Sequence, residues 1–323
     1  MNAFEYATPS TVKEAVSLLS DEWGETEVLA GGTDLVTSLK QGITAPKRLV
    51  SLKNVGLTDI FQDGKTLKIG AMTPIGELVS HELVKSHFPA LSTAAENIAS
   101  PQLLHVGTVG GDLCQRPRCW YFRNGHGLLA QKDGKSLVAG GENRYHAIFG
   151  NDGAAKFVSA SSLGPALAAL GASVKTNLGS YLAAYFFTTP KSENDRETAL
   201  MPNEIVTEIT IPIKGLRNAT YEIRHRKGLD WPYATASVAF KNDGGKATGV
   251  RVVLGHVAPV PWSTRKAATA LEGQSVTQET AAACGAAAAE GATPLSKNAY
   301  KVQMAKTAVK RAVLHAAGLT AEG

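Results

Sequence analysis

Two glycine pairs, each set beside a Thr and an Asp, constrain this chain more than any other feature. The first lies in Leu29-Ala30-Gly31-Gly32-Thr33-Asp34-Leu35. A short apolar run from Glu27 to Ala30 leads into it, and a helical pattern continues from Leu35 to Lys40. The order is strand, tight turn, helix start. Adjacent glycines permit φ > 0 and remove the Cβ atoms that would hold a ligand away from the backbone. Such a turn offers several N–H groups beside a helix N-terminus, an arrangement suited to phosphate or pyrophosphate. Thr33 and Asp34 are candidate N-caps. The second stretch, Gly107-Thr108-Val109-Gly110-Gly111-Asp112-Leu113, repeats the combination. Two such loops can grip the two phosphates of a dinucleotide from opposite sides. Neither is Gly-x-Gly-x-x-Gly after a strand and neither ends in Gly-Lys-Ser/Thr, so neither a Rossmann fingerprint nor a P-loop is present.

The pattern around these loops predicts an α+β chain. Thr11 to Ser20 reads as a helix with Thr11 as N-cap, followed by a strand at 27–30, the helix to Lys40 and a strand from Arg48 to Leu52. This makes a small α/β unit over residues 1–55. Leu67 to Ala71 alternates like a strand, Pro74 to Val79 and Leu83 to Ala99 read as helices, and Pro101 is expected to break the run before the second loop. Residues 115–156 are rich in glycine and polar residues with little periodicity, and a segment of that kind inside a compact domain is usually functional or mobile. Strands are expected at Lys156–Ala160, Ser173–Thr176, Tyr185–Phe187 and Glu204–Ile211, with Ser161 or Ser162 capping a helix from Leu163 to Leu170. These complete a second unit over 56–213. From 217 to 323 the chain reads as an antiparallel meander with a turn at Asn242-Asp243-Gly244-Gly245, followed by alanine-rich helices.

Composition excludes several classes. The net charge is +5, yet the basic residues are scattered, with short clusters only at Arg116-Pro117-Arg118 and Arg224-His225-Arg226-Lys227. No nucleic-acid partner is expected from this pattern. No apolar run reaches the roughly 18 residues of a membrane span, so no membrane partner is expected either. The N-terminal residues carry no basic and apolar leader, so the expected location is cytoplasmic, or periplasmic by export with a partner. Three cysteines make no disulfide framework, and the eight histidines are dispersed, so no metal site is expected. There is no nucleophile–base signature, which leaves the chemistry to a bound cofactor.

The two loops, with Phe4 to Ser10, Ile69 to Thr73, Ile98 to Gln102, Asn203 to Val206, Arg226 to Pro232 and Leu254 to Trp262, resemble the FAD-binding subunit of the xanthine dehydrogenase, carbon monoxide dehydrogenase and aldehyde oxidoreductase family of molybdenum hydroxylases. The resemblance runs over essentially the whole chain. It implies a two-subdomain FAD-binding module of the PCMH type followed by a C-terminal domain of antiparallel sheet plus helices. It also implies FAD between the subdomains, with Val28, Leu29, Ala30, Gly31, Gly32, Thr33, Asp34 and Leu35 along the first loop. The N–H groups of Gly31 to Asp34 would hold the pyrophosphate. Gly110 and Gly111 would allow approach from the other side, Thr108 and Asp112 would give polar contacts, and Ser100 and Gln102 further ones. Ile205 matches an apolar residue near the flavin ring. Two positions depart from the family: Ser162 stands where an Asp is usual, and Glu222 where a Lys is frequent.

Within residues 115–156, Arg116 to Phe122 and Glu142 to Gly150 resemble one branch that carries a [4Fe–4S] cluster on four cysteines. Here only Cys119 matches a ligand position, and the others fall near Leu129, Val138 and Ala155, so the cluster is expected to be absent. The implied function is transfer of electrons through FAD, received from [2Fe–2S] clusters on a small subunit and originating at a molybdenum-cofactor large subunit. The alternatives are a flavin-free scaffold subunit of the same complex and a stand-alone FAD oxidoreductase.

Overall fold

A computed structural model of the chain describes residues 1–98, 100–226, 228 and 230–320. Ala99, Lys227 and Leu229, which belong to the Ile98–Gln102 and Arg226–Pro232 motifs, lie outside the described residues, and so does the end of the helix expected to reach Ala99.

The first unit is a three-stranded parallel sheet. Arg48–Ser51 lies between Glu5–Ala7 and Thr26–Leu29. Thr11 caps the helix Val12–Ser17 by accepting the Glu14 N–H, as its sequence pattern demands. The helix Leu35–Gln41 ends at Gly42, whose φ of 70° is the left-handed C-cap that glycine adopts without penalty.

The second unit is a five-stranded sheet in which Val206–Pro212 is central, flanked by Thr66–Gly70 and Ser173–Thr176, with Ile60–Asp63 and Ser180–Leu182 at the edges. Its core joins Leu67, Ile69 and Ile209 to the apolar helix Leu163–Leu170. The expected long helix over 83–99 is two helices, Glu82–His87 and Pro89–Glu96, because Pro89 can start a turn but cannot continue one. Pro101 likewise opens a helix, Pro101–Val106, with Ser100 as its cap. Tyr185–Phe187 is not a strand, since Tyr185 and Phe186 close the short helix Ala183–Phe186. Lys156–Ala160 is not a strand either. Its backbone bonds irregularly, with Lys156 O accepting from Ala147 N and Ser159 N donating to Ala258 O.

The third sheet is the expected meander, Arg217–Ile223, Ala234–Asp243 and Lys246–Gly255, with Trp262–Ser263 added at its edge. Gly244 and Gly245 both have positive φ, as a type I′ hairpin requires. Helices Arg265–Leu271, Gln278–Ala288 and Tyr300–Ala316 cover one face. Its other face receives the helix Leu163–Leu170, and Ala239 and Val253 join the core of the second unit. Among the described residues, no helix is long and apolar enough to cross a membrane.

Candidate functional site

A cavity of about 760 Å³ opens where the parallel unit, the five-stranded unit and the segment Arg224–Pro232 meet. Of the residues expected at a cofactor site, Val28, Ala30 to Leu35, Thr108, Gly110, Gly111, Asp112, Ser162 and Ile205 line it. Leu29, Ser100, Gln102 and Glu222 do not.

The two glycine loops, alike in sequence, differ in what they offer. Among the described residues, the N–H groups of Gly31, Gly32, Thr33, Asp34 and Leu35 donate to no protein acceptor. Five consecutive free donors along a cavity wall form a concave anion-binding surface. Gly32 has φ 74°, which places the turn in the left-handed region that glycine tolerates. In the second loop the donors are spent. Val109 N bonds Thr73 O, Gly110 N bonds Ala71 O, Gly111 N bonds the Thr108 hydroxyl and Asp112 N bonds Thr108 O. This loop forms a wall and offers no second phosphate grip through these amides. Its glycines serve close packing: a Cβ on Gly110 would sit 3.0 Å from Ala71 O. A Cβ on Gly31 would lie 1.8 Å from Val106 O, so glycine there lets the two loops touch.

The acidic side chains also have other work than the sequence predicts. Asp34 makes no capping bond. Its carboxylate accepts the Arg116 N–H at 2.8 Å, an Arg118 guanidinium N–H at 2.7 Å and an Arg123 guanidinium N–H at 2.8 Å. Asp112 is buried and accepts from the Ser161 hydroxyl at 2.6 Å, Leu163 N at 3.0 Å and the Gln115 amide at 2.9 Å. Burial pushes its acid upward, while the Ser161 hydroxyl and the Leu163 and Ser162 N–H groups pull it back. Asp112 therefore supplies a carboxylate at the start of the helix Leu163–Leu170, where Ser162 makes no capping bond and Ser161 accepts the Gly164 N–H. Glu222 is buried outside the cavity and pairs with Arg224 at 2.9 Å. Among the described residues one of its oxygens has no partner, and burial raises its acid despite the pull of Arg224. Arg224 is the member of that pair that reaches the cavity. Gln102 is exposed, and its side-chain oxygen accepts from the Ser100 hydroxyl at 2.7 Å.

Residues 115–156 build a wall of the cavity. Arg116, Arg118, Phe122, Gly127 and Leu128 line it. Asp34 ties down one end of the segment, and Glu193 accepts from Leu128 N at 2.5 Å and Leu129 N at 2.8 Å. The far end is held by Lys301, which is fully buried and donates to the carbonyls of Tyr145 and His146, both at 3.3 Å, and of His256 at 2.7 Å. Arg118 also lies over the Trp231 ring, 5.1 Å from its centroid. The basic cluster at 116–118 is visible in the sequence, but its partner is 82 or more residues away, so its role is not. Cys119, Leu129 and Ala155 do meet, in an apolar cluster with Phe122, Leu128 and Phe157. Of the four positions compared with cluster ligands, only Cys119 has a thiol, so these residues do not fit a four-cysteine cluster. The Cys119 sulfur lies 3.2 Å from His146 Nε2.

Residues 2–214 match the family model described as the FAD binding domain in molybdopterin dehydrogenase, and residues 219–316 match that of the CO dehydrogenase flavoprotein C-terminal domain. The chain is 29% identical over 316 residues to the carbon monoxide dehydrogenase medium chain of Hydrogenophaga pseudoflava, covering 96% of each. It is 30% identical over 316 residues to the aldehyde oxidoreductase FAD-binding subunit of Escherichia coli K12, covering 95% of this chain and 96% of that one. A solved structure of the Hydrogenophaga pseudoflava carbon monoxide dehydrogenase, in a form lacking the Mo-pyranopterin moiety, superposes with a TM-score of 0.76 at 28% identity over 99% of both chains.

Proposed function

The chain belongs to the family of FAD-binding domains of molybdopterin dehydrogenases, and we propose that it carries electrons through FAD between the other subunits of a molybdenum hydroxylase and an external acceptor. It is the medium, flavoprotein subunit of such an oxidoreductase. The observation that carries the proposal is the row of free N–H groups from Gly31 to Leu35 along the cavity. A pyrophosphate is the part of FAD that such donors suit. When bound, FAD supplies reversible electron transfer. The protein's own part is to hold it. The first loop takes the phosphates, Gly110 and Gly111 form the opposing wall, and Val28, Met72 and Ile205 give apolar surface. Asp34 and Glu193 keep residues 115–129 closed over the site.

The substrate would be oxidised on a molybdenum-cofactor large subunit, with [2Fe–2S] clusters on a small subunit delivering electrons to this chain. The likeness to medium and FAD-binding subunits of multi-subunit enzymes supports those partners. The chain carries no [4Fe–4S] cluster, because Leu129, Val138 and Ala155 are buried and have no thiol to give.

The test is a visible spectrum of the purified chain with release and identification of the chromophore and an iron assay. Flavin bands, about one FAD per chain and no iron are expected. A colourless chain that takes up no added FAD would favour the scaffold role, and iron near four per chain would overturn the loss of the cluster.

A further inference from the structure

The cavity holds one carboxylate that the protein itself does not use. Asp34, Asp112, Glu193, Glu197 and Glu204 all accept hydrogen bonds from side chains or backbone, and Asp230 pairs with Arg226 at 4.0 Å. Glu27 also lines the cavity, and among the described residues it makes no side-chain hydrogen bond and no ion pair. It sits on the strand Thr26–Leu29, where successive side chains point to opposite faces. Val28, like Met72, packs against the cluster that holds Leu52 and Ile205, so Glu27 points away from that apolar end of the site. The charged groups around it are Arg116, Arg196, Glu197 and Asp34, and burial holds its acid above the usual range against the pull of the two arginines. Arg116 is already paired with Glu197 at 2.9 Å. Arg196 makes no ion pair among the described residues and lies over the Trp23 ring, 4.5 Å from its centroid. One end of the cavity thus joins a free carboxylate, a guanidinium held among the described residues only by the Asp195 carbonyl at 3.3 Å and an indole, while the other is apolar.

We propose that Glu27 is a specificity-determining residue that accepts hydrogen bonds from the ribose diol or exocyclic amine of the adenosine half of the bound dinucleotide. The inference rests on the FAD reading above. The chemistry divides the ligand. The isoalloxazine is broad and apolar with a single ring N–H donor. The adenosine half presents several donors, and a carboxylate beside a ribose hydroxyl is a recurring solution in dinucleotide sites. A half-buried carboxylate without donors is costly, so occupancy of this end satisfies the ligand and the protein together.

The experiment titrates the full chain, stripped of flavin, with FAD, FMN and ADP, and compares wild type with Glu27→Ala and Glu27→Gln. Glu27→Ala is expected to weaken FAD and ADP by about tenfold or more and to change FMN by less than about twofold, as loss of one charge-assisted bond dictates. Glu27→Gln, which keeps an acceptor and the side-chain shape, should recover part of the loss. Undiminished FAD affinity in Glu27→Ala would overturn the inference, and so would equal losses for FAD and FMN. If the wild-type chain itself shows no saturable FAD binding, the FAD reading fails, and the assignment of Glu27 falls with it. Thermal melts of each flavin-free variant separate a folding defect, which would weaken all three ligands alike, from a local one.

Discussion

At the scale of single residues, Asp34 supports the site through charge rather than through capping. Its side chain is 16% exposed and faces two guanidinium groups and one backbone N–H of the segment after the second loop. Asp34→Asn keeps the shape and removes the charge. It leaves Arg118 with Gln115 and Arg123 with Ser38 and backbone carbonyls. Breaking a largely buried pair on one side costs on the order of 3 kcal/mol, and urea unfolding of the variant is expected to show a loss of that size together with weaker FAD retention. Unchanged stability would mean that solvent already satisfies the two arginines. Cys114 gives a second test at this scale. Its side chain is solvent-exposed and lines the cavity, yet neighbouring atoms crowd the sulfur and push the thiol up to about 12. The solvent it meets is that of the cavity. Slow maleimide labelling of Cys114 in the flavin-free chain should therefore be suppressed by saturating FAD, as read by mass spectrometry, whereas labelling indifferent to FAD would put the thiol outside the occupied volume. Neither role was legible in the sequence. Asp34 occupies a position where an N-cap is expected, and only the fold reveals partners 82 to 89 residues away.

Elements were legible where the signal is local. Thr11 before an amphipathic run, Gly42 after one, and Gly244-Gly245 between alternating strands each fix a structure within a few residues. Ser100-Pro101 carried an equally local signal, a cap followed by proline at the first helical position, which the expectation of a helix break overlooked. Residues 115–156 show what pattern cannot supply. They are ordered by side chains that arrive from elsewhere, and the most demanding is Lys301 on the helix Tyr300–Ala316. Among the described residues its ammonium meets three carbonyls and no carboxylate, and burial lowers its pKa from 10.5 to about 7. The unfolded chain keeps that proton up to the ordinary lysine range, so between the two values it binds more protons than the folded chain, and stability rises with pH. Lys301→Met removes this titration. The stability of wild type relative to the variant should therefore improve between pH 7 and pH 9, measured by urea unfolding at each pH. A pH-independent difference would show that the ammonium stays charged in place.

For the whole molecule, the three larger sheets do not make three independent folding units. Ala239 and Val253 of the C-terminal meander complete the core beneath the helix Leu163–Leu170, and a Cβ on Gly255 would come within 2.7 Å of Pro165. Asn218 accepts the Ala90 N–H at 2.9 Å and donates to His87 O at 3.0 Å, so the first strand of the meander also finishes the polar bonding of two helices in the second unit. The turn in pattern near residue 217 is plain in the sequence, but periodicity reports which face of an element is apolar and not which partner covers it. The cavity crosses the same seam, because Arg224, Asp230, Trp231 and Pro232 form part of its lining. Two consequences can be measured together. A fragment ending at Leu216 should expose the apolar face of Leu163–Leu170, melt far below the full chain and lose FAD binding even though both glycine loops remain intact. In the full chain, FAD at a hundredfold excess over its dissociation constant adds about 2.7 kcal/mol. Because residues of all three units line the cavity, that gain should raise a single cooperative melting transition. If calorimetry instead shows FAD shifting an early transition while a later one stays fixed, the C-terminal unit unfolds on its own and its share of the cavity wall is dispensable for binding.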